Sequence, residues 1–447
     1  MNIKNLSIAC ALLIVSASAT AQKQWTLQEC IDYAMQNNIK IQQNKITDAQ
    51  NKEGIMQAQS ALFPSLSFST NHQLGYQPWP QVGHSTVTNG YVESSVDKTS
   101  YSGSYGLSAN WTVWNGNKNT NTVKQQKLMQ QQSELTTKVT ANTIQEQITQ
   151  YYVQILYSTE AIKVNKDALE ISNNNVKRGE EMLKVGTMSK ADLAQLKSQQ
   201  AQDEYNVVNS QTNLANYKLQ LKQLLELTEE KNFDVAVPTT TDEQALSTIP
   251  SVTDVYDIAL SNRPEIKNSQ IGIESSNLDI DIAKAGKAPT VNLSGSVAAS
   301  TNSYSTNSWG QQMKNNFNSG LGLSVSVPIF DNRSTKTAVN KAKLAKQSQE
   351  LELQSKKKEL YSTIENYWLQ ATSNQQRFKA SRISVESAQE SYDLLSEQFR
   401  LGLKNIVELT TGKTTLLNAQ QTRLESKYTT ILNQEMLKFY KGEDINL

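Results

Sequence analysis

The sequence contains 447 residues, and 43 Lys and Arg residues balance 42 Asp and Glu residues to a formal net charge of +1 at pH 7. This balance leaves no dominant basic face of the kind that binds nucleic acid. Gln, Asn, Ser, Thr and Lys are abundant, whereas only 18 Gly, 8 Pro and 8 Phe are present. Such a composition argues against ordinary globular domains and suits long helices with narrow apolar seams and large wet surfaces.

The first 21 residues have the pattern of an export signal. Lys4 precedes an apolar run from Leu6 to Val15, and small residues follow up to Ala19-Thr20-Ala21, so we expect cleavage after Ala21. The apolar run is too short to span a bilayer comfortably, and no later window approaches the roughly 20 apolar residues that a membrane helix needs. If the mature chain enters a membrane, we expect it to do so with strands.

Cysteine and histidine are too scarce for a metal or catalytic site. Cys10 lies in the predicted signal, which leaves Cys30 as the one cysteine of the mature chain, with His72 and His84 as its histidines. These residues provide no internal disulfide, no Cys/His metal set and no Ser/His/Asp triad. We expect Cys30 to be a small buried apolar residue, with a reactive thiol as the alternative. The sequence thus predicts no enzyme and no cofactor.

The chain repeats itself, and this duplication is its most informative feature. The segment Ile31 to Asn38 returns 225 positions later as Tyr256 to Arg263. Further along the shift falls to 216, where Val113-Trp114-Asn115-Gly116 matches Ile329-Phe330-Asp331-Asn332. We therefore expect a first repeat over 22–230, a linker or equatorial segment over 231–251, a second repeat over 252–441 and a tail over 442–447.

Each repeat changes from a helical period to a strand period. The residues before Pro64 and before Pro289 predict helices, broken near Asn38 and at Pro264. Beyond Pro64 and Pro289, apolar residues alternate with Ser, Thr and Asn, which predicts the strand pairs 65–76/101–114 and 290–303/316–330. Their lengths suit tilted strands that cross a membrane. Taken alone, they also fit a half-buried sheet in a soluble domain.

Aromatic residues stand near the ends of these predicted strands, and polar loops join the strands of each pair. Aromatic residues at both ends of a strand set are typical of the two girdles of a membrane barrel. The outer set comprises Trp79, Tyr304 and Trp309, and the inner set comprises Trp111, Trp114 and Phe330.

Long helices follow both strand pairs. From Asn117 to about Lys184, and again from Arg333 to about Arg400, there is no Pro and almost no Gly, which predicts helices on the order of 100 Å long. Apolar residues recur every seven positions as a coiled-coil seam: Ile148, Ile155, Ile162, Leu169, Val176 and Leu183. Gly186 and Gly402 permit turns, so we expect long hairpins over 117–228 and 333–441.

Four strands in one chain cannot close a barrel. In lipid, each backbone group at an open sheet edge that lacks a partner costs several kcal/mol, so copies of the chain must complete the closure. Two copies give eight strands and a barrel filled by side chains, whereas three give twelve and leave room for a bore. The predicted fold is mainly α with membrane β, a short barrel on a coiled-coil tunnel of duplicated helical hairpins.

At this point the sequence resembles the TolC-like outer-membrane factors, over nearly the whole mature chain. The resemblance rests on the duplicated order of helix, strand pair and hairpin, together with five local patterns. These are Ala34-Met35-Gln36-Asn37-Asn38, Leu62-Phe63-Pro64-Ser65-Leu66, Val327-Pro328-Ile329-Phe330-Asp331, Lys184-Val185-Gly186 and Arg400-Leu401-Gly402.

This resemblance implies a homotrimer with a twelve-stranded barrel in the outer membrane of a Gram-negative bacterium and a helical tunnel across the periplasm. It also implies docking to a periplasmic adaptor and an inner-membrane transporter, as the exit duct of a tripartite efflux or type I secretion system. The transported substrate, the class of pump and the mode of adaptor docking are not encoded in any pattern of the sequence.

The same resemblance assigns roles to the hairpin tips. Family members contact their adaptors at the positions that correspond to Val185, Gly186, Thr187, Ser189, Leu401, Gly402, Leu403 and Asn405. Ordinary turn chemistry explains these residue types equally well, so both interpretations stay open.

Three charged residues near the tips complete the implied gate. The acid that matches Glu408 forms a ring in the bore of family members, which favours cations. Thr411 replaces a second acid found one turn later, so any ring here has a single tier. Lys404 and Asp192 occupy the positions of a closing ion pair, although Lys404 lacks the bidentate geometry of arginine. The alternative is two solvated charges on helix surfaces.

Two other interpretations compete with the channel, and one motif misleads. A periplasmic adaptor or coiled-coil interaction protein also contains long hairpins, but normally one per chain, and a structural surface protein leaves the apolar strand face unexplained. Thr411-Gly412-Lys413-Thr414 has the tail of a phosphate-binding loop, yet Val407 stands where the first glycine is required. We therefore predict no nucleotide binding.

Overall fold

The structure is a computed structural model that describes residues 24–79, 83–87, 90–94, 98–227, 233–238 and 240–445. The predicted signal, with Cys10, lies outside the described residues. The chain divides into two compact units. The helical unit comprises the described residues of 1–45, 136–267 and 355–447, and the strand unit comprises those of 46–135 and 268–354.

Helices account for most of the chain. The first repeat contains α1 (Leu27–Asn37), α2 (Ile39–Ser60), α3 (Lys118–Lys184) and α4 (Lys190–Leu224). The second contains α6 (Val252–Asn262), α7 (Pro264–Lys284), α9 (Ser334–Arg400) and α10 (Ile406–Lys441), and the short helix α5 (Asp242–Ala245) lies between the repeats. Helices α3 and α9 each contain 67 residues. None of the described helices combines the length and the apolar character needed to cross a membrane.

The breaks between α1 and α2 and between α6 and α7 occur where the sequence predicts them. Asn38 leaves the helical conformation, and its side chain donates to the Leu224 carbonyl at 3.0 Å and accepts from the Lys40 amide. In the second repeat Arg263 leaves the helical conformation because Pro264 follows, and Pro264 is well suited to begin the next helix.

The strand unit is built on one antiparallel sheet. Its strands are β2 (Ser65–Tyr76), β5 (Thr99–Trp114), β7 (Thr290–Asn302) and β8 (Asn318–Ser326), in the order β2-β5-β7-β8. The register places Ser67 opposite Ser108, and Ser108 opposite Ser296. Because β2 and β8 each have a neighbour on one side only, the sheet of one chain is open at both edges.

The links between the paired strands are more ordered than the predicted polar loops. The first link contains a hairpin of β3 (Gly83–Val87) and β4 (Gly90–Ser94). The second contains the short helix α8 (Trp309–Asn315), which Ser308 and Gln311 begin with a reciprocal capping box. The sequence predicted polar loops at both places, and the hairpin and the short helix correct that prediction; for α8 the capping residues Ser308 and Gln311 were an overlooked signal.

The turn from strand to long helix has the same backbone in both repeats. Gly116 and Asn117 both have positive φ, and so do Asn332 and Arg333, at the positions related by the shift of 216. Left-handed backbone at a bulky residue such as Arg333 is uncommon. Its retention at matching positions indicates that both halves share one geometry at this turn.

The segment predicted as a linker over 231–251 packs against the helical unit where it is described. Strand β6 (Asp234–Val235) pairs in parallel with β1 (Gln24–Trp25). Ala245 of α5 is fully buried with Phe378 and Ile431, and the Tyr152 hydroxyl donates to the Ala236 carbonyl at 2.6 Å. Cys30 of α1 is fully buried, as predicted.

A buried arginine joins the end of α6 to α10. The guanidinium of Arg263 lies 4.3 Å from the ring centre of Tyr440 and 5.0 Å from that of Phe439. Its nitrogen atoms lie 3.3 Å from Glu146 and 2.9 Å from Glu265. Burial raises the pKa of Glu146, and the charge of Arg263 opposes this rise.

We predict that Arg263→Ala lowers the free energy of unfolding by at most about 3–5 kcal/mol, because it leaves the partly buried Glu146 carboxylate without its cation. Thermal unfolding followed by circular dichroism measures the effect. Arg382→Ala is the control, since Arg382 is half exposed and its 3.6 Å pair with Asp242 contributes at most about 1 kcal/mol. Equal effects of the two substitutions would contradict the prediction.

Candidate functional site

The four-stranded sheet has one apolar face, and much of that face is exposed in the single chain. Register aligns its residues across all four strands. Leu321 is 87% exposed and Leu74 is 81% exposed. Other members of the face are Leu66, Phe68, Leu107, Trp111, Val113, Val291, Leu293, Val297, Leu323 and Val325. A continuous apolar surface of this size on a sheet requires a partner, and its strand lengths suit lipid.

The opposite face consists of small neutral polar residues. Along β2 it presents Ser65, Ser67, Ser69, Asn71, Gln73 and Gly75, and the aligned residues of the other strands are Ser, Thr, Asn and Gly, with Ala298 as the exception. The Ser67 and Ser108 hydroxyls share a hydrogen bond of 2.8 Å. The four strands, all fully described, contain no Asp, Glu, Lys or Arg. This face is therefore hydrophilic without formal charge.

Aromatic residues mark the ends of the strands. Trp309 of α8 donates from its indole nitrogen to the Tyr105 hydroxyl at 3.4 Å, and the ring centres lie 6.0 Å apart. The Trp111 indole nitrogen donates to the Leu62 carbonyl at 2.8 Å. The other residues of the predicted girdles, Trp79, Tyr304, Trp114 and Phe330, are exposed.

Both hairpin tips are built from the same turn. Gly186 and Gly402 adopt φ of +77° and +74°, which a residue with a side chain adopts at a cost. At the first tip the Thr187 amide donates to the Met182 carbonyl, and at the second the Leu403 amide donates to the Gln398 carbonyl. Each helix thus ends in a Schellman motif with glycine in the left-handed position.

The returning helices begin with matching caps three residues after the glycines. The Ser189 hydroxyl accepts from the Asp192 amide at 3.0 Å and donates to its carboxylate at 2.7 Å. Asn405 and Glu408 form a reciprocal capping box, with bonds of 3.0 and 3.2 Å. The structure therefore accounts for Gly186, Gly402, Ser189 and Asn405 through turn chemistry.

Turn chemistry does not account for the apolar residues at the tips. Val185 is 74% exposed and Leu403 is 70% exposed, and Leu401 is exposed beside them. Thr187 is also exposed, and its hydroxyl donates to the Met182 carbonyl at 3.1 Å. An apolar group at the tip of each hairpin is available for contact with a partner.

The charged residues near the tips pair locally in the single chain. Lys404 Nζ lies 2.5 Å from Glu408 Oε1, and this hydrogen bond, followed by the Asn405 backbone, lowers the pKa of Glu408. Asp192 is bonded to Ser189 instead. Within the described part of one chain, no ion pair joins Asp192 to Lys404.

A buried apolar cluster lies beneath the tips and includes side chains from both hairpins. Its members are Val176 of α3, Leu196 of α4, Ala388, Tyr392 and Phe399 of α9, and Ile406, Leu409, Leu416 and Ala419 of α10. Full burial of one large apolar side chain stabilises a fold by about 1.5–3 kcal/mol. The cluster therefore gives the two hairpins of one chain a shared core.

These features agree with a family whose sequence model matches most of the chain. The model for the outer membrane efflux protein family matches residues 30–226 and 255–443, one segment in each repeat. The chain belongs to this family. Its membership implies a Gram-negative outer-membrane protein that extends into the periplasm, and it explains the duplicated order of strands and hairpins.

The curated relatives are distant in sequence, and this chain matches only part of the length of each. The outer membrane protein TolC of Escherichia coli (strain K12) is 22% identical over 304 residues, which is 65% of this chain and 59% of that protein. TolC of Salmonella enteritidis is 25% identical over 188 residues. The alkaline protease secretion protein AprF of Pseudomonas aeruginosa is 22% identical over 186 residues. Each of the latter two matches covers 38% of the relative.

Solved structures of channels share the fold. The CusC structure superimposes with a TM-score of 0.80 at 15% identity, covering 94% of this chain and 92% of that one. The Campylobacter jejuni outer membrane channel CmeC gives a TM-score of 0.77 at 19% identity, with 94% and 87% covered. VceC from Vibrio cholerae gives 0.75 at 16% identity, with 94% and 97% covered. The predicted fold class, a helical tunnel with barrel strands, is confirmed.

One short motif resembles the end of a phosphate-binding loop but has a structural role in this chain. The segment Thr411-Gly412-Lys413-Thr414 lies inside α10, where it cannot form a phosphate-binding loop. Lys413 is buried and bonded to Asp203 and Ser172. Sequence reasoning missed this cluster, although a lysine within an apolar seven-residue spacing is a signal that could have found it.

Proposed function

We propose that the chain forms the outer-membrane exit duct of an efflux or type I secretion system, as a homotrimer that docks a periplasmic adaptor and an inner-membrane transporter. The observation that carries this proposal is the sheet with two contrasting faces, one apolar and exposed, the other neutral and hydrophilic. It is open at both edges, so lipid insertion requires other copies to pair with β2 and β8. Three copies supply twelve strands and leave a bore.

The helical hairpins supply the rest of the duct in this proposal. The exposed apolar residues Val185, Leu401 and Leu403 form the contact surface for the adaptor, together with Gly186, Thr187, Ser189, Gly402 and Asn405. The name of AprF indicates protein secretion for that relative, and the TolC relatives leave the cargo open. We therefore propose export without assigning a cargo, and the transporter partner selects it.

Glu408 forms a ring of three carboxylates at the entrance of the bore in this proposal. Lys404 lies beside it in the single chain, and their hydrogen bond lowers the pKa of Glu408. For the closing contact, Lys404 must exchange Glu408 for Asp192 of the same or another chain. Lys404 and Asp192 are both partly exposed, so they can reach each other, and the ion pair between them is correspondingly weak.

The two faces of the sheet give the sharpest test of the duct. We predict that Ser296→Glu produces assembled channels that prefer cations more than the unsubstituted protein, because it adds three carboxylates to a face without charge. Ser296 pairs with Ser108 and Gly320, so the larger side chain has space. Single-channel reversal potentials in a salt gradient measure the preference, with Ser296→Gln as the uncharged control.

The neighbouring position should behave in the opposite way. Val297→Glu places the carboxylate on the apolar face, where lipid penalises it in each chain, so we expect little protein in the outer-membrane fraction, while Val297→Leu inserts normally. The proposal fails if Ser296→Glu leaves ion preference unchanged while Val297→Glu assembles as well as Val297→Leu.

A second prediction concerns closure. We predict that Asp192→Ala raises single-channel conductance, and raises cell sensitivity to large antibiotics that the outer membrane excludes, because Lys404 loses its partner for the closed state. Ser189→Ala is the matched control for single-channel conductance, which needs no adaptor, since it removes the cap bond and keeps the carboxylate. If Asp192→Ala matches the unsubstituted protein in both measurements, the closing contact does not exist.

A further inference from the structure

A buried cluster of polar residues joins the two hairpins within one chain. Lys413 of α10 has 4% of its side chain exposed, and Asp203 of α4 has 1%. Ser172 of α3 is also buried. Two members therefore come from the first hairpin and one from the second.

Each of the three residues is hydrogen-bonded to the other two. The Lys413 ammonium donates to a carboxylate oxygen of Asp203, and it donates to the Ser172 hydroxyl at 2.5 Å. The Ser172 hydroxyl donates to the same carboxylate at 2.5 Å, and the Gln199 amide donates to the other carboxylate oxygen at 3.2 Å. Burial lowers the pKa of Lys413, and the bond with Asp203 opposes that shift.

Lys413 lies in a stripe of α10 whose other members are apolar. The neighbours in the same buried stripe are Ile406, Leu409 and Leu416. Asp203 stands seven residues after buried Leu196 in α4. An apolar pair of similar size would often stabilise such a core at least as well as an ion pair. A single charged residue in an apolar seam has another effect, because it permits only the register that brings its partner opposite.

A second polar layer lies one seven-residue repeat away. Asn165 of α3 donates to the Ser210 hydroxyl of α4 at 2.7 Å and accepts from Gln421 of α10 at 3.0 Å. Asn165 precedes Ser172 by seven residues, and Ser210 follows Asp203 by seven. Two successive layers therefore fix the same three helices against one another, and a slide of α10 by one turn, about 5.4 Å, breaks both.

The register of α10 determines where the second tip lies. Helix α10 begins at Ile406, directly after Asn405, and Lys413 comes two turns later. Lys404 and Glu408, the residues proposed for the gate, are therefore held in place by the same short stretch of helix. The apolar cluster beneath the tips stabilises contact between the hairpins but, being apolar, tolerates sliding better than paired charges do.

We propose that Lys413, Asp203 and Ser172 form a positioning cluster that fixes the second hairpin against the first and so holds the channel entrance closed. This inference rests on the proposed function as an export duct. It assigns a role in gating to three buried residues that lie outside the tip turns. The three residues act through Lys404, Glu408 and the tip turn.

A double-mutant cycle tests the cluster. The variants are Asp203→Leu, Lys413→Met and the two combined, each purified as a trimer and measured in planar bilayers. We expect each single variant to raise the probability of the open state at least about tenfold, because a buried charge without its partner costs far more than such a bias requires. The combined variant should return to within about twofold of the unsubstituted protein.

A second ion pair provides the matched control. Glu180 and Lys197 lie 2.8 Å apart and join α3 to α4, but they are about half exposed and belong to the first hairpin only. Glu180→Leu and Lys197→Met should leave open probability unchanged. If either buried single variant yields no trimer, Ser172→Ala replaces it, since it removes one hydroxyl and keeps the ion pair, and a smaller rise is expected.

Two results would overturn the positioning role. The first is a loss of thermal stability in the single variants with open probability unchanged, which makes the cluster purely structural. The second is a combined variant as open as the single ones, which shows that pairing is irrelevant. An unsubstituted trimer that never conducts rejects the export duct itself, so the two failures are distinguishable.

Discussion

Lipid cannot supply hydrogen bonds to backbone groups, and the proposed oligomer and its bore both depend on this constraint. Within the described residues, the outer edges of β2 and β8 have no strand neighbours. One face of the sheet exposes Leu74, Leu321 and other apolar residues, which require an apolar environment. Insertion of such a sheet is favourable only when other strands cover its edges. Oligomerisation is therefore a condition for insertion in the proposed duct, and the bore is a consequence of closure.

Charge is distributed unequally along the chain, which has consequences for transport. The four strands β2, β5, β7 and β8 contain no Asp, Glu, Lys or Arg, so the proposed barrel lining offers water hydroxyl and amide partners without an electrostatic filter. Charged groups occur along the helices and at their turns, with Glu408 and Lys404 at the second tip. In this arrangement any charge selection takes place among the helices, and the strand section passes what the helices admit.

Local signals made much of the fold predictable from sequence. The alternation of Ser with Leu and Val located the strands, and Gly186 and Gly402 located both tips because a helix that reverses needs a residue at positive φ. Repetition helped, since each half supported the assignment of the other. The hairpin of β3 and β4 and helix α8 were missed because polar links were interpreted as loops, although Ser308 is a capping residue directly before α8.

The parts that sequence did not reveal depend on which helices meet. Apolar Ile162 and Leu169 of the predicted seam are half-buried in one chain, whereas the small and polar residues Asn165 and Ser172 are buried. Periodicity locates stripes but does not say which partner covers each one. For the same reason Lys413 was interpreted as part of a misleading motif, and the pairing of Lys404 with Glu408 within one chain was not predicted. Partner choice is a tertiary property.

The most direct test of the account is the protein mass of the particle extracted by mild detergent from the outer-membrane fraction, measured by light scattering with correction for bound detergent. For the proposed duct we expect three chains in each particle, the number that gives twelve strands and a bore. A soluble monomer released without detergent would contradict it and would favour a periplasmic adaptor or coiled-coil rod in its place.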